Sequence, residues 1–184
     1  MEVMIDLETL GLEPRTQFLS CGMVAFDPKT GVVQKDTATC FYPSLVEQAD
    51  GCDRTTLQDT LDWWDKQGDE AKAETFKPEK ERIPLDQFCD EIKTWLNKNS
   101  WSFKFRKVWS NGAGFDIPIL EDLFRQIGAP IPWNFWNIMD TRTLWRIANP
   151  GKGNNTVKHS AKHDAIDQAE RVCKSFQIIE EWMS

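Results

Sequence analysis

Asp6 and Glu8 are two carboxylates placed two residues apart at the end of an apolar run, in the stretch VMIDLETLGL. Side chains two apart on a β-strand point to the same side, so both acids would face one spot if the strand continues through them. Like charges that close repel each other unless a cation lies between them. The stretch alone therefore has two interpretations: a strand that ends at Ile5 and leaves two solvated acids, or half of a cation site.

Two later stretches offer groups of the same kind. NGAGFD ends in Asp116, and HSAKHD begins with His159 and ends in Asp164. Each has an ordinary structural interpretation, because Asp116 could cap a helix and Asp164 could be a favourable charge in a first helical turn. Together with Asp6 and Glu8, these two stretches supply a set of four carboxylates and one histidine. Oxygen ligands of this kind select Mg²⁺ or Mn²⁺, and a pair of such ions suits in-line displacement at phosphorus.

The elements that would position these groups follow from hydrophobic periodicity and turn residues. The predicted strands are 2–7, 18–27, 32–42 and 107–112, with a short fifth within 130–140. The predicted helices are 55–67, 84–99, 116–128, 141–149 and 160–183, with loops at 77–84 and 150–156. A Thr or Asp is expected to cap the first helix and Gly68 to end it.

This order predicts one α/β domain over residues 1–184, with a mixed five-stranded sheet covered by helices. The first three strands would form an antiparallel meander. The last two would run parallel to the first strand. Active sites in such sheets lie at the carboxyl ends of central strands, so the first and fourth strands would bring their acids to one edge.

Composition and charge limit the partners and the kinds of site that the chain is expected to have. The net charge of −7 argues against a nucleic-acid partner. From 141 to 163, however, the chain contains no acid and five basic residues, together with both histidines. No apolar run is long enough to span a membrane, and no signal peptide is recognised, so we expect a cytoplasmic protein without membrane contact. The scattered cysteines form no C-x-x-C pair, which argues against a zinc or redox site.

The ordered set D-x-E, N-G-x-x-F-D and H-x-A-x-x-D-A resembles the DEDDh family of 3′–5′ exonucleases, which have the ribonuclease H-like fold. The stretches IDLETLG, VWSNGAGFDIPIL and PWNFWN are similar to a phage and bacterial subgroup that includes exonuclease VIII-like proteins and ribonuclease AS. The likeness covers nearly the whole chain. It implies a hydrolase that releases nucleoside 5′-monophosphates from the 3′ ends of single-stranded DNA or RNA.

The resemblance also implies the ligands of two Mg²⁺ or Mn²⁺ ions. Asp6, Glu8 and Asp164 would hold the ion that activates water. Asp6 would bridge to the second ion, and Asp116 would support it.

The general base implied by the resemblance is His159, because histidine exchanges protons near neutral pH. A competing match pairs His163 with Asp167, although its gap is one residue short. The register that pairs His159 with Asp164 is favoured, and the other stays open.

Contacts with the nucleotide are implied for residues spread over five stretches, namely Thr9, Leu10, Leu12, Trp63, Gln67, Asn111, Phe115 and Arg142. Core packing is an equal alternative for one of Trp63 and Trp64, and it is the ordinary role for Phe115. A solvated helix face is the alternative for Arg142 and Arg146.

The sequence alone leaves three further points open. A non-catalytic nucleic-acid-binding or assembly module on the same fold is the rival from another class, and a ribonuclease H-type endonuclease shares the carboxylates. Relatives are often dimers, and Trp133, Trp136 and Trp182 are candidates for lining such an interface. The preference for DNA or RNA depends on how the pocket reads the 2′-OH.

Overall fold

The computed structural model describes residues 1–154, 157 and 159–184, so the end of the predicted loop 150–156 lies outside the described residues. Five strands are present there: β1 (Glu2–Thr9), β2 (Phe18–Asp27), β3 (Val32–Phe41), β4 (Val108–Ser110) and β5 (Ile138–Asp140). The α-helices of the same residues are α1 (Gln58–Asp65), α2 (Asp69–Thr75), α3 (Leu85–Asn99), α4 (Asp116–Gln126), α5 (Thr141–Ala148) and α6 (Ala161–Met183). Single π and 3₁₀ turns occupy Glu47–Gly51, Glu79–Glu81 and Phe135–Asn137.

The strands form one sheet in the order β3-β2-β1-β4-β5. β1 pairs antiparallel with β2, and β2 with β3, whereas β4 runs parallel to both β1 and β5. The predicted α/β class, with a meander and two parallel strands, is confirmed. Pairing of β1 with β2 runs on to Thr9, so the interpretation that ends the strand at Ile5 is wrong.

The side chains of β1 alternate between two apolar layers. Val3, Ile5 and Leu7 pack into the larger layer, which α3 and α4 cover. Met4 packs on the opposite face, against Ala165 and other residues of α6. Because side chains two apart share a face, the acids at positions 6 and 8 point toward α6 as well.

Gly22 lets α6 approach the sheet at the level of the acids. It pairs directly with Asp6 across β1 and β2. A Cβ atom added at Gly22 would lie 2.1 Å from the carbonyl carbon and oxygen of Ala161, at the start of α6. Only glycine therefore fits between the sheet and this helix, and the contact fixes where the first turn of α6 lies.

Two predictions about the middle of the chain are wrong. Helix α1 begins at Gln58, because the backbone of Thr55 and Leu57 bonds instead to the loop after β1. Leu57 precedes the helix and no side chain caps it. Gly68 holds the N-cap position of the unpredicted helix α2 and does not end α1.

Trp133 is also placed differently from the expectation. It is buried against Phe124, and its indole N–H donates to Glu121 at 3.0 Å, so it cannot line a dimer interface. Trp136 and Trp182 are exposed. None of the described helices combines the length and the apolar composition of a membrane span.

We predict that Gly22→Ala destabilises the protein by at least about 3 kcal/mol, the upper end of ordinary overpacking costs, because the added methyl meets backbone atoms. Gly51→Ala is the matched control, since a Cβ there meets nothing within 4 Å. Urea unfolding in EDTA measures both changes. Equal stability of the two variants would contradict the packing argument.

Candidate active site

Three carboxylates converge where β1 meets the first turn of α6. Asp6, Glu8 and Asp164 each offer an oxygen, and these atoms all lie within 4.8 Å of one another. Asp6 and Glu8 share a face of β1, and the close contact at Gly22 brings Asp164 to them. The convergence that the spacing of the two acids predicted is therefore present.

Asp116 lies beside this cluster at the start of α4. Its side chain is buried, and its Oδ1 accepts the backbone N–H of Leu7 at 3.2 Å. The hydrogen bond ties the first turn of α4 to β1 between Asp6 and Glu8. Asp116 is the first residue of α4, but Phe115 holds the cap position and no side chain caps the helix, so the interpretation of Asp116 as a helix cap is wrong. Its carboxylate instead faces the acidic cluster.

Three of the four carboxyl groups have strongly raised pKa values. Burial, followed by the like charge of Asp116, raises the pKa of Asp6 far above its usual range. Burial and the charges of Asp164 and Asp116 raise the pKa of Glu8 to about 8. Burial also raises the pKa of Asp116 to about 7, although the Leu7 N–H and Arg142 act in the opposite direction. The fold therefore holds these acids together without enough positive charge around them.

A divalent cation fits this donor set. The oxygens are all carboxylate oxygens, which Mg²⁺ and Mn²⁺ prefer to the softer ligands of zinc or copper. A cation would also replace the bound protons and relieve the repulsion between the acids. Asp6, Glu8 and Asp164 are therefore the candidate metal ligands, with Asp116 beside them.

Gln168 is a site residue that the sequence did not indicate. Its Nε2 donates to Oδ1 of Asp6 at 2.6 Å, one helical turn after Asp164 on α6. Its Oε1 is buried, with no hydrogen-bond partner among the described residues. The four-residue spacing from Asp164 was the available signal, since such residues lie on one helix face.

A cavity of about 650 Å³ opens beside the acidic cluster. It lies between the end of β1 and α1, and it has both apolar and polar walls. The predicted site residues that line it are Glu8, Thr9, Leu12, Trp63, Phe115, Arg142 and His159. Trp64 lines it as well, although that indole is mostly buried and donates to the carbonyl oxygen of Thr9 at 2.9 Å.

The structure does not bring three other predicted residues into the cavity wall. Leu10 is buried against Leu19 and Trp64. Gln67 donates its amide to the carbonyl of Trp63. Asn111 accepts hydrogen bonds from Thr141 and Arg142, so its contact with the cavity is through Arg142.

The two histidines have different surroundings. His159 lines the cavity, and its ring lies edge-on to Trp63 with the centroids 4.8 Å apart. Its backbone has φ +60°, and its carbonyl accepts the hydroxyl of Thr75 at 2.8 Å. His163 lies on α6, where its Nδ1 is 2.9 Å from Oγ of Ser160, and it does not line the cavity.

Comparison with known proteins shows which family has this sequence. Residues 1–179 match the model of the Rv2179c-like 3′–5′ exoribonuclease domain. The chain belongs to this family. An exodeoxyribonuclease of Enterobacteria phage T4 is 26% identical over 164 residues, which cover 77% of this chain and 69% of the phage protein.

Two solved structures share the fold of this Rv2179c-like protein. One is cell-death related nuclease 4, with a TM-score of 0.59 and 12% identity; the match covers 98% of this chain and 64% of that one. The other is a full-length 3′-exonuclease, with a TM-score of 0.54 and 11% identity, covering 98% of this chain and 81% of that one. The chain thus spans less than two thirds of the length of the first nuclease.

Family membership confirms the resemblance to the 3′–5′ exonuclease superfamily and the ribonuclease H-like fold. The family acts on nucleic acid and consists of phosphodiester hydrolases, and this chain is a 3′–5′ exonuclease by that membership. The rival of a non-catalytic module gains no support, because Asp6, Glu8 and Asp164 lie within 4.8 Å of one another, with Asp116 beside them.

We predict that the metal-free protein loses stability as the pH rises from about 5 to about 8. Glu8 and Asp116 have folded-state pKa values of about 8 and about 7, whereas carboxyl groups in an unfolded chain have pKa values of about 4. The folded state binds more protons in this window. The resulting stabilisation is complete below the unfolded pKa and is lost as the pH passes the folded values.

Thermal unfolding in EDTA at pH 5, 6, 7 and 8 measures this effect. The melting temperature should fall across the series, Glu8→Gln should flatten the fall, and added Mg²⁺ should reduce it. A melting temperature that stays level or rises with pH in EDTA would contradict the assigned protonation.

Proposed function

We propose that this exonuclease removes nucleoside 5′-monophosphates one at a time from the 3′ end of single-stranded DNA or RNA, with two divalent ions and His159 as general base. One observation carries the proposal: an acidic cluster within 4.8 Å opens onto a nucleotide-sized cavity that also contains a histidine. Residues 1–184 act as one exonuclease domain in this proposal.

The positions of the acids suggest which of them would bind each ion. Asp6, Glu8 and Asp164 would hold one ion, while Asp6 and Asp116 would hold the second. When bound, the ions would activate the attacking water and offset charge on the phosphate. The Gln168 amide holds Asp6 in orientation, as a hydrogen bond to a metal ligand commonly does.

The cavity wall supplies the remaining functions. Thr9, Leu12 and Trp63 would hold the terminal sugar and base, with the Trp63 ring available for stacking. Arg142 also lines the cavity, where its charge would attract the phosphate. His159 lies in the same wall and would take the proton from the attacking water.

The sugar preference of the enzyme is part of the proposal. The family model is named for an exoribonuclease and the phage relative for an exodeoxyribonuclease. We propose that both single-stranded DNA and single-stranded RNA are substrates. An exoribonuclease and an exodeoxyribonuclease cut the same phosphodiester bond and differ only in the sugar. Matched DNA and RNA oligonucleotides of one sequence compare the two.

We predict that His159→Ala lowers kcat by about 100-fold or more, the usual contribution of a general base, whereas His163→Ala retains turnover. The assay follows the stepwise shortening of a 5′-labelled oligonucleotide and the mononucleotide released from a 3′-labelled one, with Mg²⁺ or Mn²⁺, and EDTA should stop both. His163 is the matched control, since it is the only other histidine of the chain.

Four results would contradict the proposed function. Full activity in EDTA would remove the metal ions from it, and internal cleavage products would indicate an endonuclease. Loss of turnover in His163→Ala alone would transfer the role of base to that residue. Binding of oligonucleotide without any mononucleotide release would favour the non-catalytic module.

We also predict that Thr75 positions His159. Its buried hydroxyl holds the carbonyl of His159 at 2.8 Å, where the backbone has the left-handed φ of +60° that costs a non-glycine residue energy. Thr75→Val should lower kcat by roughly 10-fold with little change in KM, since small misplacements of a catalytic group slow the reaction strongly. Thr75→Ser should restore it.

The control for Thr75 is a double variant. If the hydroxyl acts through His159, Thr75→Val adds no further loss in the His159→Ala background. Thr37→Val removes a comparable hydroxyl bond, to the carbonyl of Gln34 in the β2–β3 hairpin, and should leave kcat intact. Additive losses, or a Ser variant as slow as the Val variant, would show that Thr75 acts only on general stability.

A further inference from the structure

A second hollow of about 500 Å³ adjoins the nucleotide cavity on the side of α5. It lies between the loop that follows β4 and one face of α5. Its wall includes Gly112, Gly114, Phe115, Arg142, Thr143 and Arg146. Phe115 and Arg142 line both the hollow and the cavity, so the two spaces are adjacent.

Neighbouring residues hold the side chain of Arg142 in this wall. Its Nε donates to Oδ1 of Asn111 at 3.4 Å, and the Thr141 hydroxyl donates to the same oxygen at 3.2 Å. Gly112 has φ +104°, and a Cβ there would lie 3.2 Å from Cζ of Arg142. The glycine therefore allows the guanidinium to lie flat against the loop.

The hollow has a local positive charge in an acidic protein. Arg146 follows Arg142 by one helical turn on the same face, and both side chains are exposed. Among the described residues, neither arginine has a carboxylate within 4.0 Å. The two guanidinium groups are therefore available to an anion from solution.

Asp140 is the acid in this wall, and its charge is already engaged. It accepts the backbone N–H of Ala113 at 3.1 Å and both the N–H and the hydroxyl of Thr143, at 3.0 and 2.6 Å. These bonds lower the pKa of Asp140 despite its partial burial. Asp140 thus joins the loop to the start of α5 and leaves the arginine face positive.

We propose that this hollow binds the phosphodiester backbone of the nucleotides on the 5′ side of the scissile bond. The proposal rests on the function proposed above, which places the terminal nucleotide beside Thr9 and Trp63. With the scissile phosphate at the acids, the chain leaves the cavity past Arg142 and meets Arg146 next. Gly112 and Gly114 have no side chains to obstruct a backbone that passes over the loop.

This assignment explains how a chain of net charge −7 would hold a polyanion near four carboxylates. Each arginine gives a charge-assisted pair with one phosphate, and such pairs contribute to affinity without reading the base. Substrates that reach Arg146 should therefore be favoured over those too short to do so.

The first test is a length series. Values of kcat/KM are measured for oligonucleotides of two to eight nucleotides with wild-type protein and with Arg146→Ala. We expect the octanucleotide to lose about 10-fold in the variant and the dinucleotide several-fold less. Arg125→Ala is the matched control, because Arg125 is an exposed arginine that pairs with Glu121 and does not line the hollow.

The second test locates the phosphate itself. Octanucleotides with one uncharged methylphosphonate at successive positions upstream of the terminal bond are compared in both proteins. Wild type should be slowed at one or two positions, and Arg146→Ala should be insensitive at the position that Arg146 binds. The salt dependence of log kcat/KM should also become less steep, by about 0.7 for each phosphate that the variant no longer neutralises.

The outcomes separate this proposal from the one on which it rests. No hydrolysis of any length by wild type would overturn the proposed function. Hydrolysis of the dinucleotide and the octanucleotide with equal kcat/KM would overturn only the upstream site. An equal loss at all lengths in Arg146→Ala, or a loss of the same size in Arg125→Ala, would overturn it as well.

Discussion

The close approach of α6 to the sheet at Gly22 is the contact on which the rest of the site depends. The backbone of Ala161 occupies the space that a side chain on β2 would fill. Because Gly22 pairs with Asp6, this approach sets the first turn of α6 opposite the acids of β1. Asp164 and Gln168, one turn apart, then reach Asp6 from the same helix. A larger residue at that one position would separate the two halves of the acidic cluster.

The geometry has an electrostatic consequence. Burial on the face toward α6 raises the pKa of both Asp6 and Glu8, and their mutual proximity to Asp116 and Asp164 adds to it. The apolar layers on both sides of β1 keep these side chains from moving apart. Repulsion between acids is thus built into the fold, and a divalent cation is the partner that relieves it.

Much of this arrangement could be predicted from the sequence, because local patterns carry it. The two-residue spacing of Asp6 and Glu8 and the order of the strands were sufficient for the sheet and its acidic edge. Contacts between distant segments were not predictable in this way. Nothing near Thr75 indicates that it meets the carbonyl of His159, and the missed helix α2 that carries it has no strong apolar period. The predicted start of α1 is also wrong, since the backbone N–H of Leu57 donates to the carbonyl of Leu10.

Calorimetric titration of Mn²⁺ into metal-free protein at pH 6.5, in two buffers of different ionisation enthalpy, tests the central claim most directly. We expect Mn²⁺ to bind and to displace protons from the buried acids, so that the observed heat depends on the buffer. Asp6→Asn should bind Mn²⁺ far more weakly. Binding that is equally tight in Asp6→Asn, or that displaces no protons in the wild type, would contradict the claim that these carboxylates form a metal site.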